Sequence, residues 1–198
     1  MKNQLRIIGG EWKRRVLPFA SIDGLRPTPD RVRETLFNWL MWDIQNAQVL
    51  DICTGSGALG FEALSRGAAS VYMIEPDKTQ ARFLKDNIEL LKAQNCHLIN
   101  ATAQQALPRL KEQFDVVFLD PPYSLNLWHE LSNLAETHIK KNGYIYVEAD
   151  RDLSQLHLPA TWQQVKTTKA GTVHAGLLPC TFGLFAQLLS NMEGSCCA

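Results

Sequence analysis

Cysteine is scarce in this chain and forms no recognisable pattern. The 198 residues include five cysteines and five histidines. No two cysteines form a CxxC pair, and no histidine lies at a zinc-binding spacing from them, so we expect no metal site. An odd number of cysteines without a framework is typical of reduced thiols in a cytoplasmic protein. The five are Cys53, Cys96, Cys180, Cys196 and Cys197.

Long apolar runs are also missing. No stretch approaches the ~20 apolar residues that a transmembrane helix needs, so we expect no membrane span. Residues 1–6 contain no apolar core of the kind that a signal peptide carries. There is no internal repeat and no low-complexity segment. What remains is a chain of single-domain length that is 45% hydrophobic, enough to bury a core, and we expect a monomer.

The chain has no net charge, but its charges are unevenly distributed. It contains 20 basic and 20 acidic residues, and residues 1–33 hold eight of the basic and only three of the acidic ones. A basic segment on an acidic body predicts an arm that binds a polyanion. A solvated surface would give the same count, so the segment alone leaves both interpretations open.

From residue 47 onwards, strand-like and helix-like segments alternate. The strands are continuous apolar runs, which predicts a parallel sheet covered by helices on both faces. Right-handed crossovers then give a doubly wound α/β fold with an antiparallel edge near the carboxyl terminus. We predict strands near residues 48–52, 70–75, 97–100, 115–119, 144–148, 163–168, 171–173 and 181–185, and helices near 58–65, 78–92, 103–110 and 127–138.

The amino-terminal part of the chain predicts a small extension of this domain. Strands near residues 5–8 and 15–19 flank two glycines and predict a hairpin. Thr28, Pro29 and Asp30 predict the start of a helix, with a capping hydroxyl, a proline at the first helical position and an acid in the first turn. We therefore divide the chain into a basic extension (residues 1–28), a main domain (29–186) and a disordered tail (187–198).

A glycine-rich segment follows the first strand of the alternating region. Residues 49–60 read VLDICTGSGALG and lead into a helix. Glycines allow the backbone to approach a ligand closely, and the helix start offers free N–H groups. Glu75 ends the second strand, where an acid accepts hydrogen bonds from ribose hydroxyls. The combination predicts a ligand that contains a nucleoside.

Asp51 favours one ligand of this kind over another. Its carboxylate should point at the pocket, where it would repel a pyrophosphate but attract an ammonium group, and no hydride-transfer residues follow. We therefore predict S-adenosylmethionine rather than a dinucleotide. Thr102 fits an adenine contact and a helix cap equally well. The expected cofactor contacts are Asp51, Thr54, Gly55, Ser56, Gly57, Glu75, Pro76, Thr102 and Ala103.

The sequence Asp120-Pro121-Pro122-Tyr123 directly follows the buried run 114–119. An acid, two prolines and an aromatic ring at the carboxyl end of a strand make a rigid polar pocket beside a stacking surface. Such a pocket suits a flat group that carries an amine, such as a nucleobase. A proline-rich turn capped by its acid is the structural alternative. We predict that these four residues are catalytic.

Several segments together resemble a known family. Residues 51–60, Glu75 and residues 120–123, in this order and spacing, resemble class I amino-methyltransferases. Residues 6–12 (RIIGGEW), 25–40 (LRPTPDRVRETLFNWL) and 59–66 (LGFEALSR) resemble the RsmD family of bacterial 16S ribosomal RNA guanine-N2 methyltransferases. The similarity extends over roughly residues 5–170. It implies a Rossmann-like class I methyltransferase sheet of seven strands.

The resemblance also implies a substrate, which is 16S ribosomal RNA, a small ribosomal subunit or an assembly intermediate. Asp120 and the carbonyl of Pro121 would each accept one N–H of the guanine amine, and Tyr123 would stack on the base. Trp12 and Phe19 either interleave with basic side chains on the RNA or form a small core. The side chains expected to bind RNA are Arg6, Lys13, Arg14, Arg15, Arg26 and Arg31.

Two departures from the family pattern and two other functions remain open. Thr102 stands where the family usually has Asn or Asp, and Pro179 should interrupt an interior strand, so the last strand is either short or rearranged. An adenine-N6 methyltransferase would share the Asp-Pro-Pro-Tyr site but normally needs a target-recognition domain, for which this chain has no room. A non-catalytic RNA-binding assembly factor on the same fold is the other alternative.

Overall fold

The structure, a computed structural model, describes residues 3–22, 25 and 27–180. The predicted strand at 181–185 and the predicted tail at 187–198 lie outside the described residues. The strands are β1 (Asn3–Arg6), β2 (Val16–Phe19), β3 (Gln48–Asp51), β4 (Ser70–Ile74), β5 (Cys96–Ile99), β6 (Phe114–Leu119), β7 (Ile139–Ala149), β8 (Lys166–Ala170) and β9 (Val173–Pro179). The α-helices are α1 (Asp30–Trp39), α2 (Ala58–Ser65), α3 (Lys78–Leu91), α4 (Ala103–Ala106) and α5 (Trp128–Glu136).

Within the part of the chain that the structure describes, the main sheet has seven strands in the order β5-β4-β3-β6-β7-β9-β8. The strands from β5 to β7 are parallel, whereas β9 runs antiparallel to both β7 and β8. The predicted doubly wound, mostly parallel sheet with an antiparallel carboxy-terminal edge is therefore confirmed. The strand order reverses between β3 and β6, and in such sheets ligands bind beyond the carboxyl ends of the strands at this switch point.

Helices cover both faces of the sheet, as its apolar strands require. In β6, Phe114 and residues 116–119 are fully buried, so neither face of the strand meets water. On one face, α1, α2 and α3 contribute to a single apolar cluster, and α4 and α5 contribute to a second cluster on the other face. Within the described residues, no helix is long and apolar enough to cross a membrane.

The amino-terminal hairpin belongs to the first of these clusters. Trp12 and Phe19 are both buried in it, which supports the small-core interpretation of these two aromatics. Two side chains of α3 also bond to the backbone of the hairpin region. Gln80 Oε1 accepts from Ala20 N at 2.8 Å, and Asn87 Nδ2 donates to Pro18 O at 2.9 Å. The hairpin is thus packed on the main domain, and the division at residue 28 stays a prediction.

The predicted cap of α1 is wrong, although the helix itself is confirmed. The N-cap position is Pro29, which makes no side-chain capping bond, and the helix begins at Asp30. The hydroxyl of Thr28 instead lies 3.5 Å from Asp120 Oδ2, 92 residues away in sequence. The local capping signal was overridden because a tertiary acceptor lies within reach of the same hydroxyl.

Several predicted bounds in the second half of the chain need correction. Regular α-helix α4 covers only Ala103–Ala106 and continues as a 3-10 turn, where Pro108 lacks the N–H that a longer helix would need. The predicted strand at 171–173 is wrong, because Gly171 occupies a turn with φ +63° and β9 runs from Val173 to Pro179. β9 is a full interior strand, and Pro179 is tolerated because it is the last residue of that strand.

Arg33 on α1 is a buried cation that joins the amino-terminal segment to α2. Only 1% of the residue is exposed. Its Nη1 lies 3.6 Å from Glu62 Oε2, and its Nη2 also pairs with Asp30. Its Nε donates to Thr28 O at 3.2 Å, and both Nη atoms donate to Arg6 O at 3.1 Å. One guanidinium therefore fixes the end of β1 and the start of α1 against the body of the domain.

We expect Arg33→Met to lower the free energy of unfolding by roughly 3–5 kcal/mol, the usual effect of breaking a buried ion pair. The variant leaves Glu62 with Arg66 as its remaining cation and leaves two carbonyls without donors. Urea unfolding measures the change. Arg31→Met, two residues away on the exposed side of α1, is the matched control and should change stability by less than about 0.5 kcal/mol. Equal effects of the two variants would contradict this account.

Candidate active site

Three acidic side chains and a thiol line the carboxyl edge of the sheet at the switch point. The strand registers place Glu75, Cys53, Asp120 and Glu148 at one level across β4, β3, β6 and β7, two residues beyond Asp51. Neighbouring strands lie about 4.8 Å apart, and β3 lies between β4 and β6, so the backbones at Glu75 and Asp120 are separated by about 10 Å. The structure thus places Asp51, Glu75 and Asp120, which were predicted to form one site, at one edge of the sheet.

The glycine-rich loop after β3 is held in place by Asp51, the last residue of that strand. Asp51 Oδ2 accepts from Gly60 N at 3.1 Å, so the carboxylate ties the strand end to the first turns of α2. Thr54 Oγ1 donates to Asp51 O at 3.1 Å. Gly55 and Gly57 have φ values of +52° and +84°, a region that other residues adopt only with strain. Asp51 and two loop residues, Thr54 and Ser56, are buried.

Burial dominates the electrostatics of Asp51. Desolvation of the carboxyl raises its pKa to about 7, the hydrogen bond from Gly60 lowers it, and the charge of Glu75 raises it further. At neutral pH this carboxyl is therefore close to its midpoint of ionisation. A cation bound beside it would favour the ionised form.

Glu75 is tied to two loops but keeps acceptor capacity. Its Oε2 accepts from Gly55 N at 3.0 Å, and its Oε1 accepts from Asp77 N at 2.8 Å. Burial raises the pKa of Glu75, and the two backbone donors oppose that rise. A carboxylate can accept about four hydrogen bonds, so each oxygen can still receive a hydroxyl from a ligand.

Asp120 lies at the end of β6, in a half-buried position. Desolvation raises its pKa well above the ordinary range, and the charges of Glu148 and Asp51 raise it further. The one opposing contact is the long hydrogen bond from Thr28. Asp120 therefore holds its proton more strongly than an exposed aspartic acid does.

The three residues that follow Asp120 in the Asp-Pro-Pro-Tyr sequence lie beyond the end of β6 and differ in their exposure. Pro121 is buried, Pro122 is exposed and precedes a short 3-10 turn, and Tyr123 is half-buried. The Tyr123 hydroxyl donates to Glu148 Oε1 at 3.1 Å, and its ring centroid lies 5.9 Å from that of Trp128. The aromatic ring is thus held at its hydroxyl end and along one side.

The residues predicted to contact adenine lie at the ends of β4 and β5. Thr102 is the N-cap of α4, and its hydroxyl accepts from Gln105 N at 3.3 Å. The capping interpretation of Thr102 therefore accounts for its geometry, and an adenine contact stays a prediction. Ala103 is buried and Pro76 is exposed beside Glu75. Asn100 Nδ2 donates to Glu75 O at 2.8 Å and links the two strand ends.

The positions and contacts of two polar residues at this edge, Glu148 and Thr28, were not predicted. Glu148 is 3% exposed and its carboxyl faces the same side as Asp120. Thr28 contacts Asp120 from the amino-terminal segment. Glu148 could have been found, because it ends a predicted strand, as Glu75 does. Thr28 could not, because its local sequence matches a helix cap and its contact is tertiary.

The basic loop of residues 13–15 lies away from this edge. Trp12 N donates to Ser65 Oγ at 2.9 Å, and Ser65 is the last residue of α2. Because α2 starts at the glycine loop and runs toward the opposite end of the sheet, its eight residues separate the two places by about 12 Å. Lys13, Arg14 and Arg15 are exposed there.

The other basic residues predicted to bind RNA are placed differently. Arg6 is exposed and its Nη2 lies 3.0 Å from Asp30 Oδ2. Arg31 is exposed on α1. Arg26 lies outside the described residues. Of the six residues predicted to bind RNA, the structure therefore does not gather the five that it describes into one patch with Asp120.

Comparison with known proteins identifies the family. The family model described as "Conserved hypothetical protein 95" matches residues 5–178. Ribosomal RNA small subunit methyltransferase D of Haemophilus influenzae is 46% identical over 178 residues, which cover 87% of this chain and 92% of that protein. The protein of the same name from Escherichia coli K12 is 44% identical over 86% of this chain and 87% of its own length. This chain belongs to the RsmD family.

Solved structures agree with this assignment. The Escherichia coli protein yhhF, a candidate methyltransferase, is 42% identical and superposes with a TM-score of 0.81 over 90% of this chain and 99% of its own. A second candidate methyltransferase was solved in complex with SAH. Its superposition has a TM-score of 0.70 and includes 90% of this chain and 56% of the other chain. At 14% identity, this second likeness shows the fold alone.

The packing of the glycine loop makes a prediction about stability. A Cβ on Gly57 would lie 2.5 Å from Phe61 Cε2, whereas a Cβ on Gly171, which also has positive φ, would have no atom within 4 Å. We expect Gly171→Ala to cost about 1–2 kcal/mol from backbone strain alone. Gly57→Ala should cost a further 1–3 kcal/mol, roughly, because a packed ring must move. Urea unfolding of both variants tests this, and equal losses would show that Phe61 yields freely.

Proposed function

We propose that this protein is an S-adenosylmethionine-dependent methyltransferase that methylates the exocyclic N2 of a guanine in 16S ribosomal RNA. The observation that carries the proposal is the position of Asp120 and Pro121 at the end of β6, beside the glycine loop of β3 and two strands from Glu75 at the end of β4. Relatives named ribosomal RNA small subunit methyltransferase D, at 44% and 46% identity, support the same reaction class and RNA.

The residues at this edge fit the cofactor by their chemistry. S-adenosylmethionine supplies an activated methyl group on a sulfonium and also carries an ammonium group and a ribose. Asp51, held by Gly60 N, would attract the ammonium group, and Glu75 retains acceptor sites for the ribose hydroxyls. Within the described residues, no lysine or arginine forms a salt bridge with either acid, so a cationic ligand has no internal competitor. Thr54, Ser56, Pro76, Thr102 and Ala103 complete the proposed cofactor site.

Asp120 and the Pro121 carbonyl would hold the acceptor amine. The lone pair of the guanine amine is delocalised into the ring, so the nitrogen is a weak nucleophile. Two acceptors, one for each N–H, fix the direction of the amine and favour a pyramidal nitrogen. Pro122 has no N–H, so no backbone donor competes for these acceptors at that position. The acceleration would come from positioning more than from base strength.

Tyr123 would provide the stacking surface for the base. Its hydroxyl is held by Glu148 and its ring lies beside Trp128, so the ring is already ordered before a base arrives. A preordered aromatic loses less conformational entropy on binding. Stacking of a base turned out of its helix is worth about 1–3 kcal/mol.

The exposed basic residues would bind the RNA backbone at a distance from the reacting base. Lys13, Arg14 and Arg15 lie about 12 Å or more from the catalytic edge, the length of α2. Phosphate contacts of this kind fix the orientation of the RNA without reading its sequence. Arg6, Arg26 and Arg31 are the further proposed contacts.

Asp120→Asn should lower the rate of methyl transfer about 100-fold or more. The amide keeps the shape of the side chain and can still accept a hydrogen bond from the amine, but it cannot also take up the proton that the amine releases. Labelled cofactor is incubated with small ribosomal subunits and with free 16S rRNA, and the digested nucleosides are identified by mass spectrometry. Asp86→Asn, exposed on α3, is the control. N6-methyladenosine instead of N2-methylguanosine would move the assignment to the adenine alternative. Cofactor binding without any transfer would favour a non-catalytic assembly factor.

The pKa of Asp51 predicts how cofactor affinity depends on pH. Because that pKa is about 7, only about a tenth of the carboxyl is ionised at pH 6 and most of it at pH 8. Binding of an ammonium group to the ionised form should therefore tighten about tenfold between these pH values. Calorimetric titration with S-adenosylhomocysteine measures it. Asp51→Asn should bind S-adenosylhomocysteine more weakly, and its affinity should no longer depend on pH in this range. If the affinity of the variant still changed tenfold between pH 6 and pH 8, the pH effect would belong to another group.

A further inference from the structure

Glu148 on β7 is a buried carboxyl group that the proposed reaction does not yet use. It is 3% exposed, and no described basic side chain forms a salt bridge with it. Two tyrosine hydroxyls donate to it instead, Tyr123 at 3.1 Å and Tyr146 at 2.7 Å. Hydrogen bonds from two hydroxyls stabilise the ionised form of a carboxyl. Glu148 is therefore equipped to carry a negative charge in a buried place.

Asp120 occupies the matching position on the neighbouring strand. Leu119 of β6 lies opposite Val147 of β7 in a parallel register, so the next residue of each strand is also side by side. Among the described residues, the Thr28 hydroxyl is the side-chain donor to Asp120, and its oxygen lies 3.5 Å from Asp120 Oδ2, which makes a long hydrogen bond. Asp120 thus has a much poorer set of donors than Glu148.

A half-buried and a buried carboxyl group at adjacent positions of neighbouring strands do not ionise independently. Burial raises the pKa of both, and the charge of Glu148 raises the pKa of Asp120 further. The other titratable groups that face the two are Asp51 and Cys53 from the β3 side, with Tyr123 and Tyr146 on Glu148 itself. None of these supplies a positive charge. The arrangement favours one proton shared by the two groups, held on Asp120 while Glu148 is ionised.

We propose that Glu148 is a positioning residue of the acceptor site, which anchors Tyr123 and forms with Asp120 a pair that keeps one proton and one negative charge. The proposal rests on the proposed function. When the amine nitrogen bonds to the methyl carbon, the bonding electrons of the broken carbon–sulfur bond stay on sulfur, and the nitrogen must lose one proton. One oxygen of Asp120 takes up that proton as the proton already on Asp120 moves to Glu148, so the singly charged pair becomes neutral. The neutral pair then returns a proton to water.

The pairing is tested first in the free protein, without cofactor or RNA. Carboxyl signals of 13C-labelled Asp and Glu are followed by NMR against pH, with Asp120→Asn and Glu148→Gln used for assignment. We expect Glu148 to ionise before Asp120. In Glu148→Gln, the titration of Asp120 should move to lower pH by about one unit or more, because the neighbouring charge is gone. An unchanged Asp120 titration in a folded Glu148→Gln protein would overturn the pairing, whatever the enzyme methylates.

The pH dependence of kcat/KM for the RNA, measured at saturating cofactor so that the ionisation of Asp51 does not contribute, then tests the role in transfer. If one negative charge on the pair is sufficient, the acid limb in the unaltered protein follows Glu148. In Glu148→Gln only Asp120 can ionise. Although its titration is lower than in the unaltered protein, it still lies above the pH at which Glu148 ionises in the unaltered pair. The acid limb should therefore move to higher pH. If Asp120 acts alone, the limb follows the Asp120 titration and moves to lower pH, which would overturn the proposal, as would an unmoved limb.

Two further variants keep this test decisive. Tyr146→Phe removes one donor but leaves both carboxyl groups and Tyr123, so its acid limb should move in the same direction as that of Glu148→Gln by a smaller amount. It also serves if Glu148→Gln fails to fold. Glu130→Gln, exposed on α5, is the matched control and should leave the profile unchanged. A Tyr146→Phe limb that stays in place or moves to lower pH would contradict the proposal.

Discussion

The accumulation of acidic groups at one end of the sheet is the constraint on which the site depends. Asp51, Glu75, Asp120 and Glu148 meet there, and within the described residues none of them has a lysine or arginine partner. Backbone N–H groups and hydroxyls hold them instead. Negative charge in a buried place without a counter-ion is costly, and the raised pKa values express that cost. A positively charged ligand relieves it, so this edge is matched to a sulfonium and an ammonium group before any ligand arrives.

The amino-terminal segment completes this edge. Gln80 accepts from Ala20 N and donates to Gly55 O at 2.7 Å, so one amide side chain joins the segment to the glycine loop. Arg33 holds the carbonyl of Thr28, whose hydroxyl reaches Asp120. Both contacts pass from the hairpin region to the carboxyl ends of the strands. The segment therefore contributes to the geometry of the site as well as carrying the basic loop.

The sequence was most informative where function depends on the end of a strand. Asp51, Glu75 and Asp120 each follow an apolar run, and parallel strands carry their ends to one edge, so these three could be placed together without coordinates. Glu148 ends such a run too, but its importance depends on the β6–β7 register and on two hydroxyls. Thr28 was misassigned because a local cap and a distant acceptor use the same hydroxyl. The basic loop was predicted as an arm that binds RNA, and the sequence does not reveal that it lies beyond the far end of α2.

The attachment of the hairpin also affects the order in which this protein can fold. Ile8 N donates to Glu62, Ala20 N to Gln80, and Thr28 to Asp120, so residues 8–28 bond to parts of the chain that are synthesised later. β9, the last strand that the structure describes, separates β7 from β8. A nascent polypeptide therefore cannot complete this edge of the sheet until β9 has been translated, and the hairpin region lacks these partners until Glu62, Gln80 and Asp120 have been synthesised.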